Sequence, residues 1–277
     1  MAGSAHHGGF SVSPVPLAGA LGGLAGLVLG LTGAGGGVLA LPLLVFGLGL
    51  GIAPAAPIAL LAVGLAAGLG ALIGLRQGMV RYRAAGLIAA CGVAIAPAGL
   101  WLGHRLPALP LALCFCVVQA WVSLRLWRGA GNEARMRAPC PCHLDPNSGR
   151  LHWTLPCARA LALTGGLAGL LSGLLGVGGG FVIVPALRRF TDLEMDSVVA
   201  TSLAVIALVA LVTGAGSIAS GHVPVDIALP FASGAVAGLV LGRWLAPRLG
   251  GPLLQKLFAV IGMLAALALL ARCHFFA

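Results

Sequence analysis

Residues 22–44 read GGLAGLVLGLTGAGGGVLALPLL and residues 165–187 read GGLAGLLSGLLGVGGGFVIVPAL; with an offset of 143, 14 of these 23 positions are identical. The same offset, without gaps, pairs Gly78 with Gly221, Val80 with Val223, Gly99 with Gly242, Trp101 with Trp244, Arg105 with Arg248 and Phe115 with Phe258. One fixed register over that distance predicts two homologous halves. The divisions expected are a tail, 1–16, a first half, 17–127, a polar and basic linker, 128–159, and a second half, 160–277.

Of the 277 residues, 60% are hydrophobic and 8% charged, and the mean hydropathy is +1.07. A soluble domain carries about 25% charged residues, so this chain lacks the charge to cover a surface facing water. Disorder is excluded on the same ground. The net charge of +10, 16 basic residues less 6 acidic, is not gathered into a stripe among polar residues, which sets nucleic acid aside as a partner. The chain reads as an integral membrane protein, with the lipid bilayer as its first partner. In lipid only helices and closed barrels satisfy every backbone group. A barrel alternates apolar and polar residues over stretches of about 10. Here the runs 57–75, 84–103, 198–218, 227–245 and 252–270 are unalternated, near the roughly 20 residues a membrane helix needs. The expected fold is an all-α polytopic membrane protein. The N-terminus shows no basic region and no cleavage pattern, so no signal peptide is expected.

Each half holds five apolar stretches, at 17–34, 36–51, 57–75, 84–103 and 109–127, then 160–177, 179–190, 198–219, 227–246 and 252–271. The second of each five is short and follows a glycine break, giving about 8 to 10 membrane segments. Cytoplasmic loops carry the excess of Lys and Arg. If all ten cross, loops 76–83, 125–159, 188–197 and 243–256 share one side with 14 basic residues, leaving only Arg105 and Arg272 opposite. If each broken pair makes one crossing, the split is 10 against 6. The first count predicts inverted repeats with both termini outside the cytoplasm.

In transporters with inverted repeats, short or Gly/Pro-interrupted segments at matching positions are the best sequence pointer to the site. Here they are Gly33, Gly35, Gly36 and Gly37, with Pro42 five residues on, and Gly176, Gly178, Gly179 and Gly180, with Pro185 five residues on. Glycine permits unusual backbone angles and close approach, and proline stops regular helix from running through. A helix restarting after the glycines turns free N–H groups and its positive end toward whatever lies there. Two such ends make an anion site without a charged side chain. Gly22, Gly26 and Gly30, like Gly165, Gly169 and Gly173, recur every four residues and read instead as a packing face.

The doubled block GGLAGLLSGLLGVGGGFVIVP resembles the hallmark of the TauE/SafE sulfite exporters, also called four-toluene-sulfonate uptake permeases. Residues 200–203, ATSL, resemble that family's small-residue motif, and residues 242–249, GRWLAPRL, its glycine-to-arginine motif. The resemblance covers nearly the whole chain apart from 1–16 and 128–159. It implies a bacterial, archaeal or plant membrane transporter of sulfite, sulfonates or related small organosulfur anions. The first half departs from the pattern at residues 56–60, APIAL, where Thr and Ser are missing. That departure implies that the second half supplies most of the hydroxyls.

Polar residues within the apolar stretches are few. Thr32, Ser172, Thr201 and Ser202 lie in or beside the glycine blocks or the family motif and complete the expected substrate-binding set; a lone Ser or Thr can also bond an i−4 carbonyl. Arg76, Arg188 and Arg189 read as interfacial anchors. Cys140, Cys142, His143, His152 and Cys157 in the linker match no strong metal template and, if the linker faces the cytoplasm, read as a solvated loop with reduced thiols. No cofactor is expected. Without HExxH, GxSxG or a buried Asp pair no enzyme is expected. The reading is a secondary transporter, in a bacterial cell (inner) membrane, that moves a small sulfur-containing anion such as sulfite or an organosulfonate by alternating access. An anion channel of the same fold and a carrier of another small anion stay open, and so does a homodimer. A C-terminal reporter enzyme active only in the cytoplasm should stay silent under this topology; an active reporter contradicts it.

Overall fold

The computed structural model describes residues 14–105, 154–176, 178–219 and 224–246, with Cys142 and isolated positions in 113–127 and 260–267. The expected stretches 109–127 and 252–271, and most of the linker, lie outside the described residues. Every named element is helical. In chain order they are α1 (Pro14–Thr32), α2 (Gly35–Pro42), α3 (Ile52–Arg76), α4 (Tyr82–Arg105), α5 (Leu155–Leu175), α6 (Gly180–Phe190), α7 (Met195–Ala219) and α8 (Val225–Leu245). Six of these, α1, α3, α4, α5, α7 and α8, are long and apolar enough to cross a membrane. The chain is therefore a multi-pass helical membrane protein.

The two short elements differ in kind. Pro42 has no N–H to give the carbonyl one turn back, and directly after it α2 widens into a π-helical stretch, Leu43–Gly47. At 1.5 Å per residue α2 with this stretch reaches about 20 Å and α6 about 17 Å, well short of a hydrocarbon core of about 30 Å. Neither is long enough to span that layer alone.

Apolar helices gain nothing from hydrophobic burial against one another when lipid is the alternative, so close packing must hold them. The glycine faces supply it. A Cβ on Gly22, Gly26 or Gly30 of α1 would fall on the backbone of Phe231, Ala235 or Leu239 of α8. A Cβ on Gly165, Gly169 or Gly173 of α5 would fall on the backbone of Ile88, Gly92 or Ala96 of α4. The partners differ by 143, as the glycines do. The contacts of one half thus recur in the other with the roles exchanged. Both pairs advance together and run parallel. The central pair, α3 and α7, is antiparallel, for Gly64 faces Ala210, Gly68 faces Ala207 and Gly74 faces Ala200. These two helices are also the most enclosed.

At the linker the sequence reading needs correction. Cys142 and Cys157 are not reduced thiols but a disulfide, with Cα atoms 5.0 Å apart. Thr154 caps α5 by accepting from the Cys157 amide at 3.3 Å, and the Cys142 amide donates to the Phe190 carbonyl at the end of α6. The bridge thus ties the start of α5 to the end of α6, and its sulfurs are not thiolate ligands for a metal. Cytoplasmic thiols are ordinarily kept reduced, so bridge and charge count draw the linker toward opposite sides of the membrane. Burial of both cysteines, at 0% and 1% exposure, shields the bridge from soluble thiols.

Gly169→Val should destabilise the protein in detergent by about 3 kcal/mol, the upper range for overpacking, because its Cβ meets the Gly92 backbone rather than a side chain that can turn away. Gly86→Ala, where a Cβ meets nothing within 4 Å among the described residues, should leave the thermal unfolding midpoint unchanged or slightly raised.

Candidate functional site

Both glycine breaks are buried and they meet. Gly35, Gly36 and Gly37 open α2 and Gly180 opens α6, all enclosed. A Cβ on Gly180 would lie 3.3 Å from the Cα of Ala34, the residue before α2. Two short helices therefore begin side by side. They do so about halfway along the central pair, since Gly178 and Gly180 both pack on Ile206, near the middle of α7, and Gly178 also faces Val63 of α3.

The first break is made by one glycine and held by two hydroxyls. Gly33 takes φ +71°, and a Cβ there would meet Val199 of α7 at 2.9 Å. Thr32 Oγ1 donates to the Val28 carbonyl at 2.8 Å, the i−4 bond open to any helical Thr. The same oxygen accepts from the amides of Gly35 at 2.9 Å and Ala34 at 3.4 Å. Thr32 thus provides at the start of α2 the cap that Ser or Thr supplies at an ordinary helix N-terminus. Ser202 Oγ, on α7 and fully buried, shares its proton between the Gly33 carbonyl at 2.9 Å and the Val199 carbonyl at 2.8 Å.

The second break is made by glycines alone. Gly176 closes α5 in the left-handed region, its amide donating to the Ser172 carbonyl at 2.9 Å. Gly178 and Gly179 follow at φ +77° and +64°. Any other residue would strain the backbone by about 1–2 kcal/mol at each of these positions. Where the first half has Thr32 the second has Leu175, and where Ser202 braces Gly33 the symmetry-related position opposite Gly176 is Ala59. Ser172 is fully buried, and among the described residues its Oγ has no hydrogen-bond partner.

Of the twelve expected site residues, the structure gathers Thr32, Gly33, Gly35, Gly36, Gly37 and Ser202 at the first break and Ser172, Gly176, Gly178, Gly179 and Gly180 at the second. Thr201 is elsewhere. Its Oγ1 accepts from the Arg81 amide at 3.2 Å and so holds the α3–α4 turn against α7. One residue that reads from sequence as a loop cation is drawn into the bundle: Arg243, in the last turn of α8, donates to the Gly70 carbonyl of α3 at 3.0 Å and to Gln77 Oε1 at 3.4 Å. It falls within the GRWLAPRL motif, but the repeat gives no hint of its role, because its counterpart in the first half is Leu100.

The sequence model of one protein family, described as "Sulfite exporter TauE/SafE", matches residues 18–269. Two proteins of Xylella fastidiosa, from strains 9a5c and Temecula1 / ATCC 700964, are each named "Probable membrane transporter protein". Each is 32% identical to this chain over 198 residues, covering 71% of this chain and 71% of its own length. No solved structure matches the chain.

Ser202→Ala should lower stability by about 1–3 kcal/mol, the cost of a buried carbonyl left without its donor. Ser233→Ala, which removes only an exposed i−3 bond to the Pro230 carbonyl, should leave the unfolding midpoint in detergent unchanged.

Proposed function

The chain belongs to the TauE/SafE sulfite exporter family of membrane transporters, and on that footing we propose that it is a secondary transporter of small sulfur-containing anions, sulfite or organosulfonates, in the bacterial inner membrane. The observation that carries this reading is the meeting of two glycine-broken helix starts at Ala34 and Gly180, in the buried middle of the bundle. A helix start offers first-turn amides that lack acceptors within the helix, together with the positive end of its dipole. Such groups attract an anion without a buried cation, which lipid surroundings would make costly. Among the twelve candidates the eleven at the breaks enclose the binding region, and Thr201, on α7, braces the α3–α4 turn beside it.

Alternating access follows from the duplication. In the proposed topology the two halves, 17–127 and 160–277, cross the membrane in opposite senses as ten segments, with 128–159 between them in the cytoplasm. The exchanged contacts support this: α1 and α8 run parallel, α4 and α5 run parallel, and α3 opposes α7. Helices related by the offset then point in opposite directions. Rocking one half against the other about the fixed breaks would expose the same amides first to one side and then to the other. No ATP-binding loop of the GxxxxGK[ST] type is present in the sequence, so the drive is an ion or solute gradient.

Purified protein in liposomes should show saturable counterflow of sulfite or an organosulfonate, tested beside thiosulfate and sulfate. Gly36→Val and Gly179→Val should abolish it. Full flux through either variant in folded protein places the pathway elsewhere, and flux that never saturates makes the protein a channel.

A further inference from the structure

We propose that the two breaks are not equivalent and that the second alone, Gly178–Gly180 with the hydroxyl of Ser172, cradles the substrate's oxygens, the first break being a structural corner. The inference rests on the transporter reading above and assigns which of its two helix starts takes the ligand.

The hydrogen bonds divide the breaks. At the first, Thr32 already accepts from Ala34 and Gly35, and Ser202 already donates to Gly33. Both hydroxyls are committed to the protein itself. At the second, Leu175 and Ala59 stand in the corresponding places and offer nothing polar. Gly179 is left-handed and Gly180 opens the right-handed α6, a change of hand that turns consecutive amides toward one concavity suited to an anion. It lies directly at the N-terminus of α6, a helix of 11 residues.

Ser172 supplies the independent observation. A buried hydroxyl without a partner is unfavourable for the folded protein alone, so its place is explained by a partner that comes and goes. It sits one turn beyond Ala168 on the same face of α5, and Ala168 is the residue that a Cβ on Gly179 would strike. In the first half its counterpart, Leu29, stands directly against Gly36, the counterpart of Gly179. Ser172 thus lies, fully buried, on the face of α5 that the second break packs against, at the position where the first half carries Leu29. Beside it a Cβ on Gly178 would meet only Val63 and Ile206 at 3.8 Å and Ala210 at 4.0 Å, ordinary contact distances between apolar walls. The ligand that fits is a compact oxyanion with one oxygen for the amides and another for the Ser172 hydroxyl.

The test compares wild type with Ser172→Ala and Ser172→Cys in two measurements, unfolding temperature without ligand and the half-saturating sulfite concentration for liposome flux. The alanine variant should unfold at the same or a higher temperature while its half-saturating concentration rises about tenfold, the effect of one lost hydrogen bond to a charged group. Cysteine, a weak donor of similar size, should fall between. A merely structural serine would do the reverse. Unchanged half-saturation in folded Ser172→Ala, with wild-type flux intact, overturns the cradle and leaves the transporter reading standing. If the wild type carries no sulfite, that reading fails, and thermal protection by sulfite, selenite, methanesulfonate and sulfate decides the inference. Protection weaker in Ser172→Ala upholds it, and equal or absent protection overturns it.

Discussion

A helix that begins in the enclosed middle of an apolar bundle leaves its first-turn amides with no water to receive them, and in this chain both α2 and α6 do so. Every distinctive feature of the molecule answers to that constraint. At the first break a threonine hydroxyl serves the restarting amides and a serine from the opposite half serves the preceding carbonyl. At the second, three left-handed glycines bend the chain so that Gly176 recovers its own bond to Ser172, while the α6 start is aimed inward. The central pair α3 and α7 then encloses both, keeping lipid away from backbone that lipid could not solvate.

Burying two broken segments requires the surrounding helices to come unusually close, and the glycine faces of α1, α4, α5 and α8 make that approach. Those faces are where the duplication shows most directly in three dimensions, because the contact of α1 with α8 recurs, with the halves exchanged, as the contact of α5 with α4. The symmetry is one of scaffold and not of chemistry. Thr32 faces Leu175 across it, Ser172 faces Leu29, Ser202 faces Ala59 and Arg243 faces Leu100. The repeated glycines set the backbone approach, and the hydroxyls at and beside the breaks are not repeated.

That division also explains what was legible beforehand. Apolar length, the fixed offset and the GxGGG–Pro blocks are local, and they located both breaks and every named helix to within a few residues except α2, which was expected to run to residue 51 and ends at Pro42. The partners of the hydroxyls are not local. Ser202 and Gly33 lie 169 positions apart, and Thr201 and Arg81 lie 120 apart, so the same ATSL motif conceals one hydroxyl that reaches a break and one that braces a turn. The disulfide was illegible for a related reason: Cys142 and Cys157 lie 15 positions apart with no periodic pattern between them, and it is the contact of Cys142 with the end of α6 that sets the pair in place. Composition reported soft ligands there, and only the fold brings two of them together.

The central claim is that uncharged peptide at mid-depth, and not the arginines near the surface, holds the anion. Selenite has the shape of sulfite and carries an atom that scatters anomalously, so a crystal of the protein grown with it reports the site directly. The account predicts an anomalous peak beside the amides of Gly179 and Gly180, between the starts of α2 and α6. A peak confined to Arg188 and Arg189 at the end of α6, with none at the breaks, would contradict it.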